Sequence, residues 1–189
     1  LQSGSDRMLR RMGRHWYTAS TYRQRCEALA ARLPAFGLGA DVIVGFPGES
    51  EADHLASLAL IRALPFTYLH VFPYSERPTA SARRLGDPVS PATVTRRSRE
   101  LRQLAAARGA SYRRRRAGRS ADVVLLGRRQ RRFRGLTEDY VEVYLPSDRT
   151  GRPPPRFTTT LALDEDGSLT AVMPSSAADF GEGDGTHGW

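Results

Sequence analysis

The run Ala40-Asp41-Val42-Ile43-Val44-Gly45 is short, apolar and β-branched, with Gly39 before it and Gly45 at its end. Such a run suits a parallel strand buried on both faces. Downstream, Ser50-Glu51-Ala52-Asp53 sets a serine three residues before an acid, the pattern of a capping box. The helix it opens runs through Leu55, Leu58 and Ile61 and stops before Pro65. Phe66 to Phe72 follows as a second strand, aromatic and β-branched, and is also expected to be buried. Upstream, Asp6 to Arg14 reads as a short helix, and Thr18 to Phe36 as a longer one closed by Gly37 and Gly39. The alternation of strands and helices argues for parallel βαβ units.

Beyond these units, Glu76 to Pro91 is a loop punctuated by proline, and Pro91 to Arg116 is a long helix. Val94, Leu101, Leu104 and Ala105 give that helix a weak apolar face, and Gly118 ends it. The pattern then changes to short strand candidates: Asp122 to Gly127, Phe133 to Thr137, Tyr140 to Leu145, Phe157 to Leu163 and Leu169 to Met173. Short strands at this spacing suggest a small closed or sandwich-like β domain. Little glycine-rich sequence follows Phe157-Thr158-Thr159-Thr160-Leu161, so closure of the barrel is left open. The expected division is 1–89, a linking helix 90–116, a β domain 117–174, and a disordered tail 175–189 rich in glycine and acid.

The 189 residues carry a formal charge of +9, and every basic side chain except histidine is arginine. From Arg96 to Arg134 there are fifteen arginines against two acids, Glu100 and Asp122, so that segment carries +13 and the rest of the chain −4. A basic block in an otherwise mildly acidic chain suits a polyanionic partner, although a solvated helix face with a basic linker has the same composition. Cys26 is the single cysteine, so the chain can form neither an internal disulfide nor a cysteine-held cluster. Tyr22, Cys26, Leu29 and Leu33 share one helical face, which places Cys26 in the core. No stretch is long and apolar enough to span a bilayer and no signal peptide opens the chain, so a cytoplasmic location and no membrane partner are expected. The chain starts at Leu1, in the middle of a pattern, which is expected of a piece of something longer.

Three segments carry a resemblance. Leu1-Gln2-Ser3-Gly4-Ser5-Asp6 leads into Leu9-Arg10-Arg11-Met12-Gly13-Arg14. Asp41-Val42-Ile43-Val44-Gly45-Phe46-Pro47-Gly48-Glu49 ends the first strand, and Leu69-His70-Val71-Phe72-Pro73-Tyr74-Ser75 ends the second. In this order and spacing the chain resembles the radical S-adenosylmethionine tRNA methylthiotransferases. The resemblance implies an α/β fold: the second half of a partial (β/α) radical-SAM barrel, followed by a small all-β TRAM barrel of OB-like form. It also implies S-adenosylmethionine and 4Fe–4S clusters as cofactors of the parent protein, tRNA as partner, and a missing N-terminal portion that holds the cluster-binding cysteines. This chain lacks those cysteines and is expected to be inactive alone. Tyr68-Leu69-His70-Val71 is most similar to the branch acting on threonylcarbamoyladenosine. The isopentenyladenosine and ribosomal-protein branches are the alternatives.

Parallel α/β barrels keep their chemistry at the C-terminal ends of the strands, where all three motifs fall. Gln2, Ser3 and Ser5 offer donors and acceptors to a ribose or amino-acid moiety, and equally suit a strand-to-helix turn with Ser5 or Asp6 as N-cap. The resemblance implies that Ile43 lies against the adenine, that Gly45 lets the backbone approach, that the backbone around Phe72-Pro73 hydrogen-bonds the adenine edge, and that Tyr74 walls the site. The two rings also suit barrel core. Arg10 or Arg11 could pair with a cofactor carboxylate or lie on an exposed helix face. Glu49 is expected to cap the following helix. No catalytic residue and no metal ligand is assigned, because His15, His54, His70 and His187 have no ligand spacing.

In the β domain, Arg128, Arg129, Arg131, Arg132 and Arg134 cluster at a hairpin with Phe133 among them and Tyr140 beyond. This suits phosphate contact with base stacking, and Arg113, Arg114, Arg115 and Arg116 could extend the track. A non-enzymatic RNA-binding fragment and a degraded gene product are the competing readings.

Overall fold

A computed structural model describes residues 1–33, 35–76, 85–129, 132–146 and 153–172. Arg131 and the tail from 175 onward, both subjects of expectations above, lie outside the described residues. The chain divides into two compact units, Leu1–Tyr112 and Arg113 onward.

In the first unit the order is α1 (Asp6–Arg11), α2 (Ala19–Arg32), β1 (Leu38–Val44), α3 (Glu51–Ala63), β2 (Phe66–Pro73) and α4 (Pro91–Arg116), whose last turn enters the second unit. The capping box expected at the start of α3 forms, with Ser50 and Asp53 bonded reciprocally, and Thr18 and Thr21 make a second one at the start of α2. β1 and β2 pair in parallel, with Asp41 opposite His70 and Ile43 opposite Phe72. On the far side of β1, Ile43 N donates to Gln2 O at 3.0 Å, so the first residues run alongside β1.

Helices cover one face of this sheet. Leu38, Ala40, Val42 and Val44 of β1 are buried with Leu58, Ile61 and Leu64 of the α3 region and Leu101 of α4. Cys26 lies in the same core with Tyr22 packed against it, whereas Leu29 and Leu33 are exposed: the shared face leaves the core after Cys26. The expectation of strands buried on both faces is corrected. Tyr68, His70 and Phe72 of β2 and Asp41 of β1 are exposed, because the helices of the unit pack on the opposite side.

The second unit is all β: β3 (Ser120–Arg129), β4 (Arg132–Thr137), β5 (Glu142–Tyr144), β6 (Arg156–Leu163) and β7 (Leu169–Val172). They close into a barrel in the order β3-β4-β5-β7-β6. Closure comes from β7, which pairs antiparallel with β6 and parallel with β5, so the terminal strands complete the ring without a glycine-rich segment. Val123, Val143, Leu145, Phe157, Leu161 and Leu169 fill the interior. A bulge between Leu125 and Gly127, where Gly127 takes φ 112°, bends β3 at one end of the barrel.

Candidate functional site

The C-terminal ends of β1 and β2 converge on a cavity of about 340 Å³ lined by Gly45, Pro47, Tyr74, Pro88, Val89 and the start of α4 through Val94 and Thr95. Two of the expected cofactor residues, Gly45 and Tyr74, meet here. Tyr74 N donates to Val44 O at 2.7 Å, and its ring packs edge-on against Phe46 at 5.2 Å. The buried Tyr74 hydroxyl has no hydrogen-bond partner among the described residues. Gly45 has φ 78°, a conformation that favours glycine, and a Cβ there would come within 2.4 Å of the Val94 side chain. Ile43 is half-buried and Phe72 is half-exposed, its ring 6.2 Å from His70, so Phe72 belongs to the open sheet face and is absent from the cavity lining.

The turn after β1 is held from inside. Glu49 and Arg97 form a buried ion pair at 2.8 Å, with side chains 3% and 4% exposed. Glu49 Oε2 also accepts from Gly45 N at 2.8 Å, and Arg97 donates to Glu49 O at 3.0 Å and to Glu51 at 3.0 Å. Glu49 therefore folds back onto the strand exit, and the cap of α3 falls to Ser50, which corrects the capping role expected of Glu49. Arg96 adds a bond to the same Glu51, and the two arginines pull the Glu51 carboxyl down to about 2. Sequence reasoning missed Arg97, one arginine in a helix full of them. The buried His54, which bonds Glu100 at 2.7 Å, was read only for metal spacing.

The Gln-Ser segment is engaged by the protein itself. Ser3 is 1% exposed, with its hydroxyl 3.3 Å from that of Ser57, and Gly4 N donates to the Ser57 hydroxyl at 2.9 Å. A Cβ on Gly4 would lie 2.5 Å from the Ser57 Cα, so the turn and α3 are in backbone contact. Ser5 caps α1 and donates to Asp53 at 2.6 Å. Asp6 accepts from Ala19 N at 2.7 Å, fixing the start of α2. Burial pushes the Asp53 carboxyl up, but bonds from Arg7, Ser5 and Ser50 outweigh it and hold the group well below the usual carboxylate range. Gln2 is half-buried beside β1. Of the paired arginines, Arg10 is exposed, whereas Arg11 donates to Pro47 O at 2.7 Å and Leu85 O at 2.8 Å and so braces the strand-exit turn.

In the second unit the expected RNA contacts separate into two sets. Arg114, Arg115, Arg128 and Arg129 are exposed, and Arg128 stacks over the Phe133 ring at 4.1 Å. Arg116 is buried instead: it bonds Asp139 at 2.9 Å and Glu138 at 2.8 Å and donates to Ser120 O. Arg113 donates to Gly167 O at 2.7 Å, Arg132 reaches Asp164 at 3.4 Å, and Arg134 bonds Glu142 at 3.0 Å. Phe133 packs in part against the barrel core, and Tyr140 is exposed at the tip of the turn after β4, with φ 61°.

Among the described residues no group of three or more His, Cys, Asp or Glu could hold a metal ion, and no helix is long and apolar enough to cross a membrane.

No family model matches the chain. It is similar to the tRNA-2-methylthio-N(6)-dimethylallyladenosine synthase of Sorangium cellulosum, 40% identical over 152 residues, 80% of this chain and 30% of that protein. It is also similar to two threonylcarbamoyladenosine tRNA methylthiotransferases named MtaB. That of Aquifex aeolicus is 32% identical over 143 residues, 76% of this chain and 34% of the relative. That of Thermotoga maritima is 31% identical over 185 residues, 97% of this chain and 41% of the relative, so this similarity runs through both units. The chain spans between 30% and 41% of the length of these three relatives.

Proposed function

We propose that the chain is the C-terminal part of a radical S-adenosylmethionine tRNA methylthiotransferase, in which it supplies one wall of the cofactor pocket and a grip on tRNA. The observation that carries this reading is a similarity to such enzymes that continues through both the α/β unit and the barrel. In this reading the barrel is a TRAM domain.

The strand-end cavity suits the adenosyl part of S-adenosylmethionine. It offers an aromatic wall in Tyr74 and the side-chain-free backbone of Gly45 among its lining. Bound there, the cofactor would supply the methyl group and the radical source. The chain's own contribution is positional: the Glu49–Arg97 pair fixes Gly45, and Arg11 fixes the turn that follows. An iron–sulfur cluster does not fit this chain, whose lone Cys26 is buried in the helix-covered core. The cluster ligands therefore belong to another part of the parent protein.

The substrate we favour is N6-threonylcarbamoyladenosine in tRNA, on the strength of Leu69-His70 in β2. A second reading, the dimethylallyladenosine branch, is favoured by the 40% identity to the Sorangium protein. For tRNA contact, the exposed Arg114, Arg128 and Arg129 are the phosphate-facing residues. The test is mass spectrometry of tRNA nucleosides from a host lacking the gene that encodes this chain. Loss of the methylthio form of threonylcarbamoyladenosine supports the favoured branch. Loss of methylthio-isopentenyladenosine selects the second, and an unchanged nucleoside profile overturns both.

A further inference from the structure

We propose that the turn between α1 and α2, residues 13–18, is a second RNA contact, at which the Trp16 indole stacks on an unpaired base and Arg14 meets the neighbouring phosphate. The inference rests on the tRNA-binding reading above and extends it to the first unit.

Trp16 is 70% exposed, far more than a large apolar ring needs to be in a turn that the protein holds this firmly. Arg14 N donates to Leu9 O at 2.8 Å, Thr18 caps α2, and Asp6 takes the first amide of that helix. The indole is therefore presented at a fixed position, with little ordering entropy left to lose on binding. The Arg14 guanidinium sits 5.3 Å from the Trp16 ring centroid, and the Tyr17 ring stands 6.2 Å away. A cation beside an exposed ring is the pairing that single-stranded nucleic acid uses: the ring takes a base, the cation its backbone.

Charge decides between occupants. Residues 1–33 contain seven arginines and two acids. Both acids are engaged locally, Asp6 with Ala19 N and Glu27 with Arg23 at 2.8 Å. Arg10, which is exposed, and Arg14, half-buried against the Trp16 ring, therefore leave net positive charge near the turn. The centre of a protein–protein interface is depleted of aspartate and glutamate, so a covering protein segment would lack the acids that match these cations. A phosphate backbone neutralises them.

The experiment uses the whole chain with Trp189→Phe, which leaves Trp16 as the single tryptophan of the two. The probes are unfractionated tRNA, a single-stranded adenylate oligonucleotide and a perfect RNA duplex, with fluorescence and filter binding read in parallel. Trp16 emission should fall saturably with the first two and little with the duplex. Trp16→Ala should weaken binding of the oligonucleotide about 5- to 150-fold without changing the salt slope, and Trp16→Phe should recover most of the loss. Arg14→Ser should flatten the slope by about one. Normal tRNA binding with no quenching and an inert Trp16→Ala overturns the inference and leaves the tRNA reading in place. A chain that binds none of the RNAs removes both. Concentration-dependent quenching without RNA makes the turn a protein contact and overturns the inference.

Discussion

Replacing Arg97 by alanine should destabilise the first unit by about 3–5 kcal/mol, the usual cost of removing one member of a buried ion pair. Its guanidinium makes three bonds: to the Glu49 carboxylate at 2.8 Å, to the Glu49 carbonyl at 3.0 Å and to Glu51 at 3.0 Å. The third matters least, because Glu51 is half-exposed and keeps Arg96. The first two decide the magnitude. Without Arg97, the Glu49 carboxylate stays buried with Gly45 N as its remaining buried donor, and the desolvation of a charge goes uncompensated. The assay is urea unfolding followed by ellipticity at 222 nm, which reports this unit because its helices carry the signal. The double variant Glu49→Ala/Arg97→Ala removes the stranded charge as well, and should be less destabilised than the sum of the single changes by about 2 kcal/mol. An Arg97→Ala protein within about 1 kcal/mol of wild type, or strictly additive single changes, would refute the view that this pair holds the strand exit.

Two further outcomes follow from the same geometry. Arg128→Ser/Arg129→Ser should weaken tRNA binding and reduce the slope of logarithmic affinity against logarithmic salt by about two, whereas Arg116→Ser should lower barrel stability instead; a filter-binding salt titration with thermal melts separates the two. In acid, Asp53 and Glu51 have folded-state affinities for protons below those of the unfolded chain, so their stabilisation is present above the unfolded carboxylate range near ~4 and is lost as pH falls through the folded values, which for Glu51 is about 2. Unfolding of the first unit between those limits, shifted to higher pH by Asp53→Asn, is the expected result, and an acid midpoint unmoved by that substitution would count against it.

Local signals were legible because their partners are near in sequence. Ser50 and Asp53 bond across one turn, and the sequence shows the whole interaction. The strand-end rim was legible in part, since Gly45 and Tyr74 meet where two strand ends must meet in a parallel sheet. What was not legible joins distant residues. Arg97 and Glu49 lie 48 positions apart, and nothing local distinguishes Arg97 from Arg96 or Arg99. Barrel closure through β7 likewise depends on a parallel pairing with β5 that leaves no mark on either segment.

Arginine composition misled in one definite way. The +13 segment suits a polyanionic partner by composition, yet much of it is neutralised internally. Arg96 and Arg97 hold Glu49, Glu51 and Glu100, Arg116 holds Glu138 and Asp139, Arg132 reaches Asp164, and Arg134 holds Glu142. Most of these acids lie outside the Arg96–Arg134 stretch, so a windowed charge count cannot see them. A phosphate reaching Arg116 would have to displace a buried carboxylate, whereas Arg128 and Arg129 are exposed. The number of counterions released on RNA binding should therefore follow the exposed arginines and fall well short of the fifteen that the sequence counts.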